Sequence, residues 1–281
     1  MPKEFLIWDV SNVLAVWRQA AEIGQWQDLE NRPCRGGVRI SLALVPFPLL
    51  AQYIVFDDED DYDYEDPYNG HETTARERAE GFIMTTVLFE SALAFVAVGI
   101  GALIGVSPWI SASWNSGAVL PVLMAIGWGI LGTIPLLIAF LVMQYGSFRS
   151  LEDLQSYMER YLVPLFREAT IYELGLISVA AGLGEEALFR GVIQTFLQQL
   201  VGVDASPVVP IAITSLLFGV VHFMSKEYFI LASIMGAYFG VWFWWTGDII
   251  IPIVIHTLYD WFALVYMRQT GEVADEKSGE S

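Results

Sequence analysis

Six long apolar stretches constrain this chain more than any other feature of its sequence. A helix needs about 20 mainly apolar residues to cross a membrane. Stretches of roughly this length occupy residues 82–106, 118–145, 171–200, 207–223, 227–246 and 249–267. Hydrophobic residues make up 55% of the chain and charged residues only 16%, which is too apolar for a soluble domain. The sequence therefore predicts an all-α polytopic membrane protein, a bundle of about six to eight transmembrane helices.

The positions of lysine and arginine predict how these helices are oriented. Basic residues occur in the loop that holds Arg149, Arg160 and Arg167 and in the loop with Lys226, whereas the alternate loops carry none. Basic loops tend to stay in the cytoplasm, so we expect both loops and the C-terminal tail to lie inside. The expected localisation is an integral, multi-pass protein of a prokaryotic cell membrane.

Three less apolar segments are predicted to lie along the membrane surface. Residues 4–28 and 149–168 mix charged side chains with apolar ones, which is typical of interfacial amphipathic helices. The stretch 38–56 is short, and Pro46 and Pro48 would break helical hydrogen bonds at its centre. We therefore expect 38–56 to be re-entrant or interfacial.

An acidic run at 56–80 supplies much of the formal net charge of -18. Runs of this kind are usually solvated, disordered loops, and so acidic a chain is unsuited to binding nucleic acid. The expected partners are instead the lipid bilayer and a membrane-associated substrate. We predict an interfacial segment with the acidic loop at 1–75, a helical bundle at 76–270 and an acidic, disordered tail at 271–281.

Charged residues within the predicted spans mark candidate functional positions, because an ionisable group at membrane depth is costly unless it is paired or hydrated. Glu186 and Arg190 are four residues apart, so they share a helical face and can pair. Glu185 points about 100° away from Glu186 around the helix, so it is free to take a different role. Glu90 is a further acid in the first span. It could be a structural partner for a buried polar group or form a polar wall of the substrate path, and we favour the structural role.

Two of the three histidines also lie in apolar helices. His222 ends the stretch "FGVVH", which begins at Phe218, and His256 begins "HTLYD", which ends at Asp260. Taken alone, each histidine is as well explained by a structural hydrogen bond to a backbone carbonyl as by a catalytic role. Together with Glu185, they supply groups that can activate water and stabilise an oxyanion.

The three motifs resemble those of a known family. "EEALFR" is similar to a Glu-Glu-x-x-x-Arg motif, "FGVVH" to Phe-x-x-x-His and "HTLYD" to His-x-x-x-Asn/Asp, in the same order on successive spans. This is the pattern of the CPBP intramembrane proteases, a group of type II CAAX prenyl endopeptidases and bacteriocin-processing, lysostaphin-resistance-like proteins. The resemblance implies a helical membrane peptidase with a polar cavity inside the bundle.

The resemblance also implies roles for individual residues. Glu185 and His222 would hold and deprotonate the attacking water, while His256 and Asp260 would face the tetrahedral intermediate. The remaining motif residues, Glu186, Arg190 and Phe218, would support the site.

Two questions stay open at this stage. If the site uses a metal, which would be zinc, the ligands would be Glu185, His222, His256 and Asp260; a metal-free route is the alternative. Asp260 could donate to an oxyanion when protonated, bind the metal, or orient His256 by accepting its ring N–H. We favour the orienting role.

The function expected is hydrolysis of a peptide bond in a membrane-associated or prenylated, CAAX-type protein. One alternative is a proton- or cation-coupled transporter in which the buried acids and histidines form a relay. The other is a non-catalytic member of the family that binds a partner or confers immunity.

Overall fold

The computed structural model describes residues 74–146 and 163–279, with side chains to 269. Within these ranges all regular elements are helical. The helices are α1 (Ala75–Ile104), α2 (Ala112–Asn115), α3 (Val119–Tyr145), α4 (Val163–Glu168), α5 (Ile171–Glu186), a π segment (Ala187–Gln194), α6 (Thr195–Val201), α7 (Val208–Val221), α8 (Lys226–Thr246) and α9 (Ile250–Gly279).

The predicted fold class is confirmed, since the described helices form an all-α integral membrane protein. Four of them are long and apolar enough to cross a membrane: α1, α3, α8 and the part of α9 up to Gln269. Helix α7, predicted as a span at 207–223, is a shorter apolar helix of 14 residues. The predicted span at 171–200 is a succession of α5, the π segment and α6.

Several predictions fall on parts of the chain outside the described residues. These are the surface helix at 4–28, the re-entrant stretch at 38–56 and all of the interfacial helix at 149–168 except α4. The division into regions 1–75, 76–270 and 271–281 stays a prediction, although α9 continues to Gly279.

Helix α1 begins earlier than its apolar stretch predicted, at Ala75 instead of residue 82. Thr74 caps the helix: its side chain accepts from the backbone N–H of Glu77, and the Glu77 carboxylate accepts from the backbone N–H of Thr74 at 2.8 Å. Such a capping box satisfies the free N–H groups of a first turn. A polar turn is therefore added in front of the apolar helix.

Small residues let neighbouring helices approach α5 closely. A Cβ atom added at Gly184 would collide with the backbone carbonyl of Glu90 in α1, and one added at Gly182 would collide with the side chain of Thr257 in α9. Only glycine permits both contacts. Helices α1 and α9 therefore pack directly against the segment that carries the two adjacent glutamates.

Two glycines of α8 accept side-chain hydrogen bonds from the π segment. Arg190 Nη2 donates to the carbonyl of Gly236, and Gln194 Nε2 donates to that of Gly240, each at 2.9 Å. An added Cβ would lie 3.4 Å from Arg190 Nη2 at Gly236 and 2.9 Å from Gln194 Oε1 at Gly240. The small-residue pattern "GAYFG", Gly236 to Gly240, thus serves helix packing.

Buried Asp248 joins the start of α9 to the loop between α1 and α3. Its carboxylate accepts from Ser111 Oγ at 2.8 Å, from the backbone N–H of Ser113 at 2.7 Å and from that of Ile250 at 3.1 Å. The last of these bonds caps α9. This contact fixes the N-terminal end of the helix that carries His256 and Asp260.

The start of α5 is fixed by side chains from α1 and α9. Arg76 forms an ion pair with Glu173 at 2.7 Å and donates to the carbonyl of Glu168 at 2.6 Å. From α9, Trp261 Nε1 donates to the carbonyl of Ile171 at 3.1 Å, and Arg268 Nε donates to that of Ala169 at 2.9 Å. The helix that carries Glu185 is therefore anchored at its first turn.

Candidate active site

The predicted site residues come from three parts of the fold that converge inside the bundle. Glu185 and Glu186 end α5, His222 follows the last residue of α7, and His256 and Asp260 lie on α9. Both glutamates and His256 are buried, while His222 and Asp260 are partly exposed. The site is therefore a mostly buried polar cluster that is accessible in part, at His222 and Asp260.

Glu185 faces His222 across the contact between α5 and α7. Glu185 Oε1 lies 3.5 Å from His222 Nε2. The other ring nitrogen, Nδ1, lies 2.8 Å from the backbone carbonyl of Phe218. A carbonyl oxygen only accepts, so Nδ1 carries the proton of this hydrogen bond. That leaves Nε2 directed at the glutamate.

Glu186 has two partners, of which the sequence predicted one. Its Oε1 accepts from Arg190 Nη1 at 3.1 Å, which confirms the predicted pair. The same oxygen lies 2.9 Å from Nδ1 of His256 on α9. Glu186 thus links the π segment to a candidate catalytic histidine. The i,i+4 spacing could not predict this contact, because it relates residues of one helix only.

His256 is held between two carboxylates. Its Nδ1 faces Glu186, and its Nε2 lies 3.2 Å from Asp260 Oδ2. The ring also stacks on Phe239, with ring centroids 4.9 Å apart and planes inclined by 16°. The contact of Asp260 with a ring nitrogen is the one that the favoured orienting role requires; the role itself stays a prediction.

Arg190 has no exposed surface, and aromatic rings surround its guanidinium group. Its Cζ lies 4.7 Å from the ring centroid of Phe218, 5.2 Å from that of Phe239 and 5.8 Å from that of Phe189. Such cation–π contacts partly replace lost hydration. Phe218 also stacks on His222, at 4.4 Å between ring centroids. Phe218 therefore contacts both the arginine and a candidate catalytic histidine.

The four predicted metal ligands are arranged as two pairs. Glu185 contacts His222, and His256 contacts Asp260. Among the described residues, no group of three or more His, Cys, Asp or Glu side chains is positioned to hold a metal ion. Both ring nitrogens of His256 already face carboxylates. The described arrangement thus does not fit a zinc ligand set, and no step proposed below passes through a metal.

The fold and this cluster define a class of protein: an α-helical membrane protein with acids and histidines grouped inside the bundle. A family model described as "Type II CAAX prenyl endopeptidase Rce1-like" matches residues 167–262. This match covers about a third of the chain and includes all three motifs. It confirms the family resemblance, and the family implies a CAAX-type intramembrane endopeptidase. No curated protein and no solved structure gives a significant match.

Proposed function

We propose that the protein is an intramembrane endopeptidase in which Glu185 and His222 activate a water molecule. The substrate is a peptide bond of a membrane-associated or prenylated protein. The observation that carries this proposal is the 3.5 Å separation between Glu185 Oε1 and His222 Nε2. It supports a shared water, because both atoms are acceptors when His222 donates its Nδ1 proton to Phe218.

Glu185 acts first as a base and then as an acid, while His222 Nε2 accepts a hydrogen bond from the same water. Glu185 takes a proton from the water, and the oxygen of the resulting hydroxide attacks the carbonyl carbon of the peptide bond. The C–N bond then breaks, and the same proton passes from Glu185 to the leaving nitrogen. A carboxylic acid and an amine are released, so atoms and charges balance.

His256 is the group proposed to face the developing oxyanion. Glu186 accepts the N–H of its Nδ1, which fixes the ring and favours a protonated, positively charged imidazole. Its Nε2–H, close to Asp260, can then donate toward the substrate oxygen. Arg190 balances the charge of Glu186 on the side of the π segment.

The test is cleavage by purified protein in liposomes. Wild type and Glu185→Gln, His222→Ala and His256→Ala variants are compared on farnesylated, geranylgeranylated and unmodified membrane peptides, with products identified by mass spectrometry. Loss of a positioned general base should lower kcat by about 10²- to 10⁴-fold. Glu168→Gln, which changes an exposed carboxylate, is the matched control and should cleave like wild type.

Equal cleavage by wild type and all three site variants would refute the proposal. Proton uptake that follows an imposed pH gradient, without cleavage, would favour the transporter alternative instead.

A further inference from the structure

Glu90 is a further carboxyl group beside the proposed site. It lies in the apolar helix α1, and only 4% of its surface is exposed. Its Oε2 is buried and has no hydrogen-bond partner in the described part of the chain. A buried carboxylate without a partner is costly in a membrane protein. The burial of the Glu90 carboxyl group without a hydrogen-bond partner therefore has to be explained.

We infer that Glu90 positions Glu185 by sharing a proton with it, an inference that rests on the proposed peptidase function. The contact between the helices puts the two residues together. Gly184 precedes Glu185, and its missing side chain leaves room for the backbone carbonyl of Glu90. Helix α1 is thus fixed against α5 at the level of the proposed base.

The two carboxyl groups are buried neighbours at the contact between α1 and α5 that Gly184 permits. Glu185 Oε2 is, like Glu90 Oε2, a buried oxygen without a partner among the described residues. Two carboxylates in such contact cannot both be ionised, because their charges repel in a medium that screens poorly. A proton held between them removes this repulsion and supplies the donor that both groups lack.

The surroundings decide which carboxyl group keeps the charge. The water proposed to lie between Glu185 Oε1 and His222 Nε2 donates a hydrogen bond to Oε1, so a negative charge is stabilised on Glu185. Glu90 is then the neutral partner and donates its proton in a hydrogen bond to Glu185. This bond holds one side of the Glu185 carboxylate and leaves Oε1 free to take a proton from water. Glu90 is therefore a positioning residue.

The kinetic test compares Glu90→Gln with Glu90→Leu. The glutamine amide donates a hydrogen bond without a charge, so Glu90→Gln should keep most of the wild-type kcat. Leucine cannot donate, and loss of a hydrogen bond to a charged group should lower kcat by about 10- to 100-fold with little change in KM. Thr86→Val, which removes another buried polar group of α1, is the matched control and should keep wild-type kcat.

Two kinetic results would overturn the inference. One is a Glu90→Leu variant with wild-type kcat, and the other is a Glu90→Gln variant as impaired as Glu90→Leu. If wild type cleaves, Glu185→Gln does not, and Glu90→Leu does, the inference fails while the proposed function stands.

Infrared spectroscopy tests the shared proton without relying on activity. At neutral pH, wild type and Thr86→Val should show the C=O stretch of a protonated buried carboxyl group, and Glu90→Gln should lack it. Absence of this band from wild type overturns the inference. If wild type shows the band, Glu90→Gln lacks it and wild type cleaves no peptide, the shared proton is supported and the proposed function is refuted.

Discussion

Replacement of Glu186 by glutamine tests whether this residue stabilises the bundle as well as the site. Glu186 and Arg190 are both fully buried, and Glu186 Oε1 contacts Arg190 at 3.1 Å and His256 at 2.9 Å. The variant keeps the shape of the side chain and removes its charge. Arg190 would then remain a buried cation beside a neutral amide.

The expected cost follows from the burial of the pair. Removing one partner of a buried ion pair typically destabilises a protein by about 3–5 kcal/mol. Three phenylalanine rings and the carbonyl of Gly236 also contact Arg190 and offset part of this loss. We therefore expect Glu186→Gln to lower the free energy of unfolding by about 3 kcal/mol. Turnover should fall as well, because His256 loses a charged acceptor at Nδ1.

The assay is equilibrium unfolding in mixed micelles, read by tryptophan fluorescence, for four proteins: wild type, Glu186→Gln, Arg190→Met and the double variant. Replacing both members of a buried pair with neutral groups is often far less harmful than replacing one. The double variant should thus be more stable than the sum of the single losses predicts, by at least about 1 kcal/mol. Strict additivity, or a Glu186→Gln variant as stable as wild type, would refute the reasoning.

Four further predictions concern the site and its surroundings. Gly184→Ala should reduce both the yield of folded protein and the cleavage rate, since the new Cβ collides with a carbonyl of α1; normal yield and rate would contradict the described packing. Asp248→Ala should lower the free energy of unfolding by about 1–3 kcal/mol, because Ser111 and two backbone N–H groups lose their acceptor, and the protein that still folds should keep its KM. Asp260→Asn should lower kcat by about tenfold or more if a charged carboxylate orients the histidine, and full activity would exclude that requirement. Dialysis against a chelator should leave turnover unchanged, whereas loss of activity that zinc restores would show that the two pairs of side chains rearrange around a metal.

The parts of the site that follow from one helix could be predicted from the sequence. Glu186 and Arg190 pair because they are four residues apart, and Glu185 is left to face a different neighbour. His256 and Asp260 contact each other for the same reason of spacing. Four of the predicted spans were recognised because a long apolar run in a chain of this composition has few other stable structures.

The parts that depend on contacts between helices could not be predicted. The bond between Glu186 and His256 requires α5 and α9 to approach at Gly182, and hydropathy carries no information about that approach. The π segment at Ala187–Gln194 was missed as well, because its apolar pattern continues that of the helices around it. Such segments are rare and often lie at functional sites, and here the π segment carries Arg190.

The different partners of two adjacent glutamates follow from the packing of α5. Consecutive residues of a helix point about 100° apart, so Glu186 can face α9 while Glu185 faces α7. Gly182 and Gly184 remove the side chains that would keep α9 and α1 at a distance. The histidine of α9 thus lies on one side of this short segment, and a further carboxyl group, Glu90 of α1, lies on the other. A helix with larger residues at these two positions could hold the same charges, but α9 and α1 would lie farther from the two glutamates.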